Sequence, residues 1–578
     1  MSFLHATRAL KADDKFKVAQ YLVDLGVSYV EGGWPGSNPK DSQFFHRWQH
    51  ELSAPAAVNG TKLVAFGSTR RRHSQAGSDP QLKALLDCGA GTVTLVAKAW
   101  DAQVDRVLRC SLPENLDMIA DSVALLKQAG REVVVDAEHF LDGYSANAQY
   151  ALDCLRAAAD AGADWLVLCD TNGGSMPWAV QEVCERVSET LGLGAPGTPG
   201  LGIHCHNDAG CAVASSLAAV RGGCTMVQGC VNGYGERTGN ADIIAVAAGL
   251  ELKLKRTCLP PGKLEHLTRV SRGVAAACRQ RPAPGQPYAG TAAFAHKGGL
   301  HVAALQHMPE SYNHCMPALV GNAATTVVSD MSGKANIREA ARLAGFAALP
   351  EATLDSVLAQ VKALEAAGAA FEAAPASVEL LLRRALAATS AGEKQRLLEY
   401  ESPFHVREFN VLCSNRSFAA AGDAQSAANG NTAAVVSNNT AVVKLELPGG
   451  RTVIQAGEGN GPVNALAHAL LDALITMYPA LTAVRLADYK VDLLGMGGTT
   501  AAVTRVSCTF ERRDSSTAGA REPVSWQTVG AHSSIVEASF RALVDGLEWG
   551  IEHCDDDGCH VPVQVDKPIS EGAAVETL

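Results

Sequence analysis

The sequence predicts an α/β fold: a (β/α)8 barrel of the TIM type with its first strand apparently missing, then a helical linker and a C-terminal α+β domain. Three observations carry this. Over the first 250 residues short β-rich runs alternate with helix-like stretches; the runs are apolar and break into polar or glycine residues at their C-terminal ends; and past about residue 255 the alternation stops. Strand alternating with helix calls for parallel pairing through right-handed crossovers. Polar residues gathered at the C-terminal ends of strands are the arrangement of a barrel mouth.

The β-rich runs are VSYVEGGWP (27–35), KLVAFGST (62–69), TVTLVAKA (92–99), EVVVDAEHF (132–140), WLVLCDTNGG (165–174), GLGIHCHND (200–208) and TMVQGCVNGYGERTGN (225–240). Between them DMIADSVALLKQAG and NAQYALDCLRAAADAG place apolar residues at i, i+3, i+4 and i+7, the helical period. Gly26, Gly130 and Gly162 stand where left-handed helix caps belong. Seven strands can be counted where a closed barrel has eight. The chain opens directly on DDKFKVAQYLVDLG, a helix that should follow a first strand. An open doubly wound sheet would accept seven, so the count leaves both architectures available.

The later chain divides by pattern. The barrel is expected over 1–255 and helical linker subdomains over 256–400, with breaks at Gly368 and Pro375; an α+β regulatory and dimerisation domain should span 401–555, and 556–578 form a tail. The polar, alanine-rich stretch 414–439 reads as a loop insertion. VNALAHALLDAL (463–474) and VEASFRALVDGL (536–547) form a weak internal repeat, from which two β-β-β-α units are expected.

Composition excludes some functions. A formal net charge of −11 with no basic block argues against nucleic acid or an anionic membrane as partner. No apolar run reaches the roughly 18–20 residues that span a bilayer. Sixteen cysteines without framework spacing read as reduced thiols of the cytoplasm, a plastid or another organelle.

The chemistry concentrates in GIHCHNDAGC (202–211). On a strand His204 and His206 share one face and Cys205 takes the other. Two imidazoles at a barrel mouth suit a divalent metal, or else are two histidines bonded to neighbours. NGYGERTGN (232–240) ends the next strand, and its Asn240 has an amide oxygen to offer as a further ligand; the alternative is a turn closed by a salt bridge. EGNGPVNA (458–465), with Gly459, Gly461 and Asn464, offers backbone N–H groups at a helix start to a carboxylate, or is only a tight turn.

HCHND followed by NGYGERTGN resembles the signature of the isopropylmalate, homocitrate and citramalate synthases, metal-dependent Claisen-condensing barrels related to hydroxymethylglutaryl-CoA lyase. YVEGGWPGSNPKD, VVVDAEHFLDGY, CDTNGG, HKGGLH and EGNGPVNA resemble the citramalate branch over nearly the whole chain. The resemblance implies condensation of acetyl-CoA with pyruvate and water to give citramalate and CoA, in isoleucine biosynthesis; within the same family the alternative is 2-isopropylmalate formation from 2-oxoisovalerate. It implies His204, His206 and Asn240 as ligands of Mg2+, Mn2+ or Zn2+. Glu138 falls at the catalytic acidic position, Thr171 where the keto acid carboxylate is held, and Glu31 at an acidic mouth position. His301 and Tyr312 match catalytic residues of the linker. A homodimer and an amino-acid inhibitor, isoleucine or leucine, bound by the C-terminal domain are implied as well. The family's first strand carries Thr-Leu-Arg-Asp-Gly, whose Asp is a metal ligand. ATRAL (6–10) has no such acid, so the sequence as it begins is expected to turn over poorly, or to act as a binding and dimerising subunit.

Overall fold

The structure is a computed structural model that describes residues 10–346, 349–390, 400–416, 436–495, 502–512, 524–555 and 558–559. It divides into two compact units, residues 1–294 with 313–325, and 295–312 with 326–578.

The first unit is built on β1 (Tyr29–Glu31), β2 (Lys62–Ser68), β3 (Thr92–Lys98), β4 (Glu132–Glu138), β5 (Trp165–Asp170), β6 (Gly200–Cys205) and β7 (Met226–Gln228). All pairings are parallel and the spatial order is the chain order. Sequential order with right-handed crossovers puts every helix on one face, which removes the doubly wound alternative. The other face must curl, and one contact shows that it does. Gln228 on β7 donates to Asp136 on β4 at 2.8 Å, although three strand steps in a flat sheet would separate those strands by about 14 Å. Among the described residues β1 and β7 each pair on one side only.

Alternation along each strand divides outer core from lumen. Leu95, Ala97, Val133, Val135, Ala137, Leu166, Leu168, Leu201, Ile203 and Cys205 face the helices and are buried in the main core. Their strand neighbours line the lumen in three tiers. At the floor Glu132 accepts from the Tyr29 hydroxyl (2.8 Å), Lys62 (2.9 Å), the Thr92 hydroxyl (2.8 Å) and the Trp165 indole (3.3 Å). Above it Val134, Val167 and Cys169 pack with Trp165 and Met226 in a small apolar belt. The glycines of GLGIH make room for this belt, since a Cβ at Gly200 would stand 2.3 Å from the Trp165 ring. The third tier is the mouth.

The helix Ala12–Leu25 ends at a left-handed Gly26, as its sequence predicts. Gly130 and Gly162 are also left-handed, one residue past the cap residues Ala129 and Ala161. The helix expected at NAQYALDCLRAAADAG starts earlier, at Phe140, and breaks its backbone at Asn147.

In the second unit the linker run forms helices Glu351–Ala366 and Pro375–Ser390, interrupted at the two positions the sequence marked. The repeat is real. Strands His405–Arg416, Val436–Leu447 and Arg451–Gly459 form one antiparallel sheet followed by helix Pro462–Ile475; Val484–Leu494, Val503–Arg512 and Val524–His532 form another followed by helix Ile535–His553. Ala441, Val443 and Leu445 from the first and Val506, Cys508 and Phe510 from the second share one core with both helices. Arg384 ties the linker to it, pairing with Asp545 at 2.8 Å and Glu548 at 2.6 Å. Most of the stretch 414–439, and nearly all of the tail, lie outside the described residues. Among the described residues fourteen cysteines are free, in keeping with the reading of reduced thiols, but Cys554 is disulfide-bonded. Among the described residues no helix is long and apolar enough to cross a membrane.

Candidate active site

The mouth is set by where the lumen-facing columns of β4, β6 and β7 end. Asp136, His204 and Gln228 meet there, although 92 positions separate the first from the last. The Gln228 amide nitrogen is committed to Asp136, so its oxygen faces His204 Nδ1 at 2.8 Å. An oxygen can only accept, so His204 carries its proton on Nδ1 and presents an unprotonated Nε2 to the mouth. Burial pushes the Asp136 carboxyl up to about 7 against the opposing pull of Gln228. Sequence reasoning passed over both Asp136 and Gln228. The signal for Asp136 lay in the alternation of VVVDAE, which puts it on the face of Glu138; nothing local marked Gln228.

His206 lies next to His204 with ring centroids 5.2 Å apart. Its Nδ1 is buried without a partner. Burial, with His204 and Arg237 adding to it, pushes the imidazole down to about 4, so at neutral pH the ring is uncharged and has a lone pair to donate. Asn240 completes this corner, its Nδ2 standing 3.1 Å from His204 Nε2. The loop that delivers it needs its glycines: a Cβ at Gly235 would lie 1.9 Å from Asn240 Oδ1, and one at Gly239 2.0 Å from the Gly233 carbonyl oxygen. The salt bridge weighed from the sequence exists too. Arg237 grips Asp208 with Nε at 2.9 Å and Nη2 at 2.8 Å, and also donates to the Thr171 carbonyl.

An orphaned buried imidazole nitrogen, a second imidazole fixed in the donor tautomer and a buried amide are chemically suited to a divalent ion. Among the described residues no group of three or more His, Cys, Asp or Glu side chains joins them as a metal cluster.

Around this corner stand the other expected residues. Glu138 ends β4 and is paired with Lys98 of β3, not with an arginine. Thr171 accepts the backbone N–H of His139 at 2.8 Å, which leaves its hydroxyl proton to be donated elsewhere. Glu31 ends β1. Protein surrounds it on most sides and the Asp136 charge faces it, so its carboxyl is raised, while its side chain still opens to water in the recess.

His301 and Tyr312 belong to the second unit, where their rings stack with centroids 4.1 Å apart. Also in that unit, Gly459 and Gly461 frame the turn into the helix Pro462–Ile475. A Cβ at Gly459 would meet the Ala465 nitrogen at 2.5 Å, so this glycine serves close strand-to-helix packing. Asn464 accepts the Asn460 N–H at 3.2 Å.

Residues 5–274 match the HMGL-like family, 289–369 the homocitrate synthase post-HMGL domain-like family, and 393–550 the LeuA allosteric (dimerisation) domain. Among curated proteins the chain is 43% identical over 549 residues to an (R)-citramalate synthase of Synechocystis sp., covering 94% of this chain and 93% of the relative. It is 44% identical over 544 residues to one of Streptomyces coelicolor, with the same coverages. A third, from Geobacter sulfurreducens, is 41% identical over 546 residues and 94% of each chain.

Proposed function

The chain belongs to the (R)-citramalate synthase family, and on that premise we propose that it condenses acetyl-CoA with pyruvate and water to give citramalate and CoA. The observation that carries this is the near full-length relation to several curated (R)-citramalate synthases. A divalent ion, one of Mg2+, Mn2+ or Zn2+, would be held by His204, His206 and Asn240 and would polarise the keto carbonyl and neutralise charge on the keto acid. Every other task falls to side chains.

Glu138 is assigned as the base. The methyl C–H bond of the thioester breaks, its proton goes to a carboxylate oxygen, and the bonding pair passes to the thioester oxygen as an enolate, whose carbon attacks the keto carbon. Thr171, its oxygen already occupied by an N–H, directs its hydroxyl proton to the pyruvate carboxylate. Glu31 lines the keto acid side of the recess. His301 and Tyr312 are assigned to proton handling at the reacting atoms. Hydrolysis of the resulting CoA thioester drives the reaction forward. We assign residues 401–555 to dimerisation and to binding a feedback amino acid, isoleucine or leucine, with the turn at Gly459, Gly461 and Asn464 as the carboxylate seat.

Steady-state assays with pyruvate against 2-oxoisovalerate test the reading. Pyruvate should give the higher kcat/KM by at least about tenfold, a margin that 1.4 kcal/mol of side-chain discrimination supplies. A preference for 2-oxoisovalerate overturns the choice of substrate in favour of isopropylmalate formation.

A further inference from the structure

One cation at the mouth has no role assigned by the family signature quoted above. Lys98 ends β3 and Glu138 ends β4, and the parallel register sets the two directly opposite each other. Both point into the lumen, Lys98 Nζ contacts Glu138 Oε2, and the side chains are 23% and 25% exposed. The lysine stands on a rigid base, since its carbonyl accepts from buried Asn115 at 2.9 Å, and Asn115 is also bonded to Tyr150.

The other ionisable groups around Glu138 do not substitute for this contact. Asp136, two positions earlier on the same face, adds a second carboxyl. Cys169 of β5 faces Glu138 as a thiol held in its neutral form by burial. His139, the next residue, is engaged by Asp142 at 2.9 Å. Among the described residues Lys98 is therefore the cation in contact with the Glu138 carboxylate, and a charged hydrogen bond of this kind fixes where the carboxylate points.

We propose that Lys98 is the positioning residue of the catalytic base: its ammonium, in contact with Oε2, holds the Glu138 carboxylate turned into the lumen before the acyl-CoA methyl arrives. This rests on the reading of Glu138 as the base. Lys98 keeps its own proton throughout, and the proton that moves is the one passing from the methyl carbon to Glu138.

The test is steady-state kinetics of Lys98→Met and Lys98→Arg beside the wild type, with acetyl-CoA varied at saturating pyruvate. In Lys98→Met kcat should fall by about tenfold or more while KM for acetyl-CoA changes little, the mark of a lost contribution to the reacting step rather than to binding, and in Lys98→Arg kcat should return toward the wild-type value. Lys98→Gln, which keeps a donor but no charge, serves if the methionine variant does not fold. A folded, charge-free variant with wild-type kcat, or an arginine variant that does not restore it, overturns the proposal. Wild-type turnover in Glu138→Gln would instead refute the base assignment on its own, whatever the lysine variants show.

Discussion

Replacing Gln228 with methionine isolates one link in the mouth. Methionine has nearly the length and volume of glutamine, so what is lost is the amide and its two contacts, each 2.8 Å long. His204 then has no acceptor for its Nδ1 proton, and its ring is free to turn or to exchange tautomer. Asp136, already raised to about 7 by burial, loses the hydrogen bond that opposes that rise. Removing the group that orients a metal-binding imidazole typically costs about 10- to 100-fold in metal affinity, or about 1.4–2.7 kcal/mol. The orphaned buried groups should also lower folding stability by about 1–3 kcal/mol. Calorimetric titration of Mn2+ into the wild-type protein and Gln228→Met at one pH measures the first quantity, and urea melts measure the second. If a folded Gln228→Met protein binds Mn2+ as tightly as wild type, the Asp136–Gln228–His204 chain does not set the imidazole, and the donor assignment drawn from it is wrong.

At the barrel floor, burial would raise the Glu132 carboxyl, but hydrogen bonds from Lys62, Tyr29 and Thr92 outweigh it and hold the group below its usual value. Its contribution is therefore complete above the unfolded value of about 4.3 and lost as pH falls through the lower folded value. Glu132→Gln should be less stable than wild type by about 1–3 kcal/mol at pH 7, with the gap closing in acid; a gap in urea melts that stays constant with pH contradicts this. Gly235→Ala forces the Asn240 amide away from His204, and divalent affinity should drop by about tenfold or more; unchanged affinity by calorimetry would mean that Asn240 takes no part.

Much of this was legible in the sequence because it is local. Strand alternation alone puts His204 and His206 on one face, and the helical period finds Ala12–Leu25. The breaks at Gly368 and Pro375 follow from residues that disfavour helix where they stand. The Val463 and Val536 helices show the repeat even though little else in the two halves matches. The contacts that organise the mouth were not legible, because they join residues far apart in sequence. Lys98 meets Glu138 across 40 positions and Gln228 meets Asp136 across 92, and which columns face each other depends on curl and register that no single strand encodes. The glycines of EGNGPVNA carry two requirements that the sequence does not separate: besides the carboxylate seat proposed for this turn, strand and helix backbones approach too closely at Gly459 for a side chain.

The lumen's middle tier is a waist about one side chain thick, formed by Val134, Val167 and Cys169 with Trp165 and Met226. It separates two hydrogen-bonded groups of ionisable side chains. Below it, Glu132 is satisfied by its own donors from β1, β2, β3 and β5. Above it, Glu31, Asp136, Glu138 and the two histidines can exchange partners, one substitution at a time, without breaking a hydrogen bond of the floor. A barrel so partitioned can change its substrate while keeping its foundation.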